Sequence, residues 1–233
     1  MPFFFYDPTF VWLLPALALA LYAQLKVSRT FNKYAQVPSA RGMTGAGVAA
    51  ELLRRRGIRD VKVEPVQGPM GGGLSDHYDP RTKTLRLSEQ VYGGSSVAAI
   101  GVAAHEAGHA LQHQEGYAPL ALRSAIVPVA QFGTMAAWIL FLLGLLLSRP
   151  LLMDLGILFF LGYVLFSLVT LPVEFNASGR AVQVLQGEGF VLPQEAQGVR
   201  TVLNAAALTY VAAAFMAVMQ LVRLLVLRNM RDE

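Results

Sequence analysis

The chain contains no cysteine, so disulfide frameworks and thiolate zinc fingers are excluded, and any metal ligand must come from His, Asp, Glu or backbone atoms. Lack of cysteine fits a reducing compartment without requiring one. Charge is scarce as well: 15% of the 233 residues are charged against 55% hydrophobic, and mean hydropathy is +0.47. That is too apolar for an ordinary soluble domain of this size. The net charge of +4 is small and scattered, which argues against a nucleic-acid partner. Alternation is missing from the long apolar runs, so a bilayer crossed by helices is expected, since helices satisfy their own backbone groups in lipid.

Residues 8 to 25 carry no charge and end at Lys26, Arg29 and Lys33, with Phe10 and Trp12 near the start, as an interfacial aromatic belt would have. A cleaved signal peptide fits less well, because the basic residues follow the apolar run and no small-residue cleavage site closes it. Residues 129 to 148 and 151 to 171 form a second and a third uncharged span apart from Asp154, joined at Arg149-Pro150. Residues 202 to 222 begin an alanine-rich fourth helix that either spans or packs on the soluble part. The expected organisation is therefore a first span at 1–26, a soluble segment at 27–128, a membrane hairpin at 129–171, a polar segment at 172–201, and a last helix and tail at 202–233. Thirteen of the 19 lysines and arginines fall between positions 26 and 123 and none lies in residues 1 to 25. By the positive-inside rule the first long loop is then cytoplasmic, and two further spans return the chain to that side. Arg223, Arg228 and Arg231 fall outside if the fourth helix spans, a mild conflict with the rule.

Within the soluble segment, Thr44 to Arg56 has a capping threonine and Gly57 past its end, and reads as a helix. Val61 to Val66 alternates as a strand does, and Asp79-Pro80-Arg81-Thr82 is a turn joining Leu74–Tyr78 to Thr84–Ser88 in a hairpin. The run Gly68-Pro-Met-Gly-Gly-Gly73 lacks the Lys-Ser/Thr ending of a phosphate loop and reads as a flexible loop, a candidate gate.

Ser95 to Gln114 is expected to form one helix carrying His105-Glu106-Ala107-Gly108-His109. Positions i and i+4 lie on one helical face about 5 to 6 Å apart, so both imidazoles can reach one ion. Glu106 projects beside them, where it can accept a proton from an activated water. Such a motif also arises by chance on solvated helices, but three of the four histidines in the chain fall within nine residues here. A catalytic zinc needs a third protein ligand. His113 is about 12 Å along the helix from His105, too far for the same ion, and reads as a supporting or surface histidine. His77 is possible, on a hairpin of undetermined side-chain direction. Glu174, just past Pro172 and the third span, is the better candidate, because a carboxylate at that depth is costly unless paired or bound to a cation. Its bland alternative is an ordinary interfacial glutamate. Pro172 is expected to end the span and Glu174 to start a new helix.

Leu74-Ser-Asp-His-Tyr-Asp-Pro80, Ala103-Ala-His-Glu-Ala-Gly-His-Ala-Leu-Gln-His113 and Pro172-Val-Glu-Phe-Asn-Ala-Ser-Gly-Arg-Ala181 together resemble the YugP-like family of bacterial membrane neutral zinc metallopeptidases, over nearly the whole chain. The arrangement is similar, more distantly, to the membrane gluzincins that include the heat-shock protease HtpX and the CAAX-processing enzymes. The resemblance implies one Zn2+ per chain held by His105, His109 and Glu174, with Glu106 as base. In those gluzincins an aspartate follows the ligand glutamate by four residues, whereas this chain has Ser178. Arg180, His77 and Tyr78 are open candidates to stabilise the oxyanion. The expected protein is mainly α and polytopic, with about four transmembrane helices and a small α+β zincin-like part on the cytoplasmic side of a bacterial inner membrane. It would hydrolyse a peptide or membrane-protein substrate. The rivals are a zinc-holding scaffold without catalysis, whose metal would have four protein ligands, and a zinc transporter, which would need ionisable groups at mid-span.

Overall fold

Apolar runs with no polar face have nothing to show water, and in the computed structural model they become its longest helices. The structure describes residues 8–66 and 76–230, so the glycine-rich run at 68–73 lies outside the described residues. A 3-10 turn at Pro8–Leu13 leads into α1 (Leu14–Ala35). Three further long helices are α5 (Ala118–Leu146), α6 (Pro150–Gly187) and α7 (Pro193–Asn229). All four stretches are long and apolar enough to cross a membrane, and only 17% to 28% of their most apolar windows is buried inside the protein. Phe132, Leu146, Leu151 and Leu158 are more than 60% exposed. A soluble monomer rarely shows so much contiguous apolar surface, whereas lipid tails accept it.

The chain divides into two compact units. The first takes the described parts of residues 1–24, 121–172 and 209–233. Phe141, Met153, Phe160, Val164, Ala217 and Leu224 form its buried cluster. Two arginines of α7 are tied within it: Arg228 Nε donates to Asp154 Oδ1 at 2.8 Å, and Arg223 Nε to Thr9 Oγ1 at 3.2 Å.

The second unit takes the described parts of residues 25–120 and 173–208. Thr44 caps α2 (Gly45–Arg55) by accepting from the Gly47 N–H at 3.1 Å, and Gly57, at φ +75°, turns the chain out of it. Val48, Ala49, Leu52 and Leu53 form the buried face, the spacing of an amphipathic helix. Strands β1 (Lys62–Pro65), β2 (His77–Asp79) and β3 (Thr84–Leu87) make a sheet in the order β1-β3-β2, with β1 parallel and β2 antiparallel to β3. The hairpin turn is held by Asp79, which accepts from the Arg81 N–H at 2.9 Å and the Thr82 hydroxyl at 2.8 Å. A short α3 (Glu89–Tyr92) precedes α4 (Val97–Gln114), whose cap Ser96 accepts from the Ala99 N–H at 3.2 Å. Leu85, Leu87, Ile100, Leu185, Phe190 and Val199 belong to the core that packs around α4.

One expectation is corrected. Pro172 does not end its helix; α6 runs unbroken from Pro150 to Gly187, and Glu174 lies inside it instead of starting a new helix. Proline at 172 removes one N–H from the helical ladder. A single lost bond is outweighed by the continuous helical register on both sides, and long apolar helices accept proline because local side chains satisfy freed backbone groups. α5 likewise starts at Ala118 and carries Pro128 inside it, and α7 starts at Pro193, well before position 202.

Replacing Thr44 by alanine removes the α2 cap and should cost about 1 kcal/mol of stability. A fall in the Tm of the detergent-purified protein checks this, and an unchanged Tm would show that the α2 terminus does not depend on its cap.

Candidate metal centre

The centre begins with what α4 is made of. Alanine and glycine around the histidines let another helix come close, and α6 does so at Gly108, where an added Cβ would stand 2.9 Å from the Ala177 carbonyl oxygen. That approach carries Glu174 to the histidine face. His105 and His109 sit one turn apart with ring centroids 4.8 Å apart and planes at 84°. Glu174 Oε2 lies 3.2 Å from His105 Nε2 and 3.6 Å from His109 Nε2. Glu174 is 2% exposed, and His105, Glu106 and His109 are each 8% exposed.

Each imidazole has its other nitrogen occupied. His105 Nδ1 is 3.1 Å from Ser178 Oγ, and His109 Nδ1 is 3.0 Å from Gln112 Oε1. Both Nε2 atoms therefore face the same carboxylate oxygen, and one ligand atom from each of the three residues lies within 4.8 Å of the others. Lone pairs converging in a buried space repel unless a positive charge sits among them. The donor set is the two-histidine, one-carboxylate type that suits zinc, so these residues fit the ion. The electrostatics agree. Burial disfavours a charged His109, yet the Glu174 and Glu106 carboxylates outweigh it and raise its pKa above the usual histidine value.

The other sequence candidates are placed as follows. His113 is exposed and accepts from or donates to the Tyr78 hydroxyl at 2.9 Å, away from the three-residue cluster. Burial, with the charges of Asp60 and Asp79, pushes the Tyr78 phenol up to about 12. His77 is exposed on β2, its Nε2 3.4 Å from Arg86 Nη1. Arg180 donates to Asn176 Oδ1 at 2.6 Å, pairs with Glu115, and faces the Tyr117 ring at 5.8 Å. Ser178 does reach His105, its Oγ 3.1 Å from Nδ1.

Sequence reasoning missed Gln112, Asn176 and Asp76. Gln112 lies three residues after His109, a spacing that puts it on the same flank of the helix, and this was the available signal. Asp76 accepts from the Ser88 N–H at 2.6 Å; burial raises its carboxyl pKa, the Ser88 bonds oppose that, and the nearby charge of Glu106 adds to it.

Fold and site together define a helical membrane protein with a buried group of His105 and His109 from α4 and Glu174 from α6. The chain belongs to the family described as "Putative neutral zinc metallopeptidase", whose model matches residues 9–229. It is 51% identical over 219 residues to a Bacillus subtilis (strain 168) protein named "Putative membrane protease YugP", covering 94% of this chain and 96% of that protein. No solved structure matches the chain.

Gly108→Ala should push α4 and α6 apart and lower zinc affinity about tenfold or more, in line with other disturbances of ligand support. Chelator competition on the purified protein measures it; wild-type affinity in the variant would show that the helices have room to spare.

Proposed function

We propose that this protein is a membrane-bound zinc-dependent endopeptidase of gluzincin type. His105, His109 and Glu174 hold one zinc ion per chain, and Glu106 is the general base. The observation that carries this reading is the convergence of two Nε2 atoms and one carboxylate oxygen, all buried, with Glu106 on the same helix beside them. When bound, zinc supplies a Lewis acid that acidifies a water and polarises a peptide carbonyl. Glu106 accepts the proton of the attacking water and returns it to the departing amine nitrogen, so the base ends the cycle as it began. Ser178 and Gln112 hold the two imidazoles by their far nitrogens. A groove of about 360 Å³ borders Ser178 and mixes apolar Phe175, Val182 and Leu203 with polar Gln183, Arg200 and Asn204.

The helices cross the membrane four times in this reading, with the centre on the cytoplasmic side of a bacterial inner membrane and peptides or membrane proteins as substrates. Arg223 and Arg228 no longer weigh much against that orientation. Arg228 is paired with Asp154 and Arg223 bonded to Thr9, so both serve internal contacts. The same Asp154 pairing, with no charged residue from 155 to 173, leaves a transporter without a ready ionisable group in the apolar run of α6, and Glu106, which a purely structural zinc site would not need, argues against a scaffold.

Glu106→Gln keeps size and polarity but cannot take a proton. It should retain zinc and lose activity by about 10²–10⁴-fold, read as zinc content by elemental analysis and cleavage of membrane substrates by comparative proteomics. Loss of zinc in the variant, or undiminished cleavage, sinks the base assignment.

A further inference from the structure

Groups that can only donate or only accept hydrogen bonds fix the orientation of groups that can do either. Two such groups flank Gln112, which is fully buried on α4. An arginine guanidinium only donates, and Arg180 Nε donates to Asn176 Oδ1 at 2.6 Å, so Asn176 turns its oxygen to this junction. A backbone carbonyl only accepts, and Gln112 Nε2 donates to the Val173 carbonyl and to Asn176 Oδ1, each at 2.9 Å. Both amide hydrogens are thereby used. Flipping the amide would set its oxygen against two acceptors, a buried clash that costs more than a lost hydrogen bond. Gln112 Oε1 consequently faces His109 Nδ1 at 3.0 Å. That oxygen only accepts, so Nδ1 carries the proton and the Nε2 lone pair is left for an ion. His105 has no such lock, because the Ser178 hydroxyl on its Nδ1 can donate or accept.

Val173 is the residue before Glu174, and it is fully buried. The bond from Gln112 to its carbonyl therefore ties α6 to α4 beside the ligand carboxylate. We propose that Gln112 is the positioning residue of the metal centre: one amide fixes the tautomer of His109 and clamps the backbone that carries Glu174, setting two of the three ligands together. This rests on the ligand assignment made above.

The test uses the full-length protein in nanodiscs. Gln112→Met keeps the volume and removes all three bonds, whereas Gln112→Glu keeps an acceptor for His109 Nδ1 but donates to neither Val173 nor Asn176. Zinc affinity is read by chelator competition, and the His109 tautomer by 15N shifts of the metal-free protein at a pH where the ring is neutral. Gln112→Met should bind zinc about 10 to 100-fold more weakly and show mixed tautomers. Gln112→Glu should keep the Nδ1–H tautomer and still bind zinc more weakly than wild type. Wild-type affinity in Gln112→Met would make Gln112 a space filler and overturn the proposal. So would a wild-type His109 protonated on Nε2 alone, a measurement that stands even if a variant does not fold. If wild type and the Glu106 variant prove equally inactive towards every peptide while zinc still follows Gln112, the peptidase reading fails and this one does not.

Discussion

A carboxylate buried against two imidazole nitrogens is the constraint on which the rest depends. Removing an ionised carboxylate from water costs several kcal/mol even after the protein relaxes, a large part of the 5–15 kcal/mol of net stability typical of a domain. Glu174 Oε2, 2% exposed as a residue and 3.2 Å from His105 Nε2, is in that position. Its ion pairs include those with His105 and His109. A positive charge shared by all three groups compensates that cost, a proton in the simplest case and a divalent cation in the case that the donor set favours.

Such a convergence requires two helices whose backbones nearly touch. Side chains larger than hydrogen at Gly108 would meet the Ala177 carbonyl, and Ala103, Ala104, Ala107 and Ala110 keep the rest of α4 slim and buried. Small residues at helix contacts trade side-chain burial for close approach. Here the approach lets a short glutamate reach across to α4, and it brings the Val173 carbonyl within reach of Gln112. The alanine-rich composition of α4 is thus a consequence of what the site must admit, in the same way that the Leu- and Phe-rich faces of α5 and α6 answer to lipid.

How much of this was legible in the sequence depended on the range of the interaction. The His105 and His109 pair is local and periodic, so helical spacing alone placed both rings on one face. Glu174 was legible for a different reason: a lone acid next to an apolar span must have a partner. Thr44, Gly57 and the Asp79 turn were read correctly because caps and turns are satisfied within a few residues. Pro172 misled, since the rule that proline breaks helices describes helices in water, and this one has apolar surroundings and a long register on either side. Gln112 could not be joined to Val173 and Asn176 from sequence, because those two hydrogen bonds cross from α4 to α6 and appear only when the helices are set side by side; the Asn176–Arg180 bond is an i,i+4 pair within α6.

The continuity of α6 has a consequence for where Glu174 stands. Asp154 and Glu174 are twenty residues apart on one helix, about 30 Å along its axis, which is the thickness of the hydrocarbon core of a bilayer. Both carboxylates are partnered, Asp154 by Arg228 and Glu174 by the histidines, and between them the helix has no charged residue. The two acids therefore bracket the apolar run of α6 in the sequence. Because a helix advances and rotates together, about 1.5 Å and 100° per residue, Glu174 meets the histidines only at its own register on α6: one step further, Phe175 is 50% exposed where Glu174 is 2% exposed.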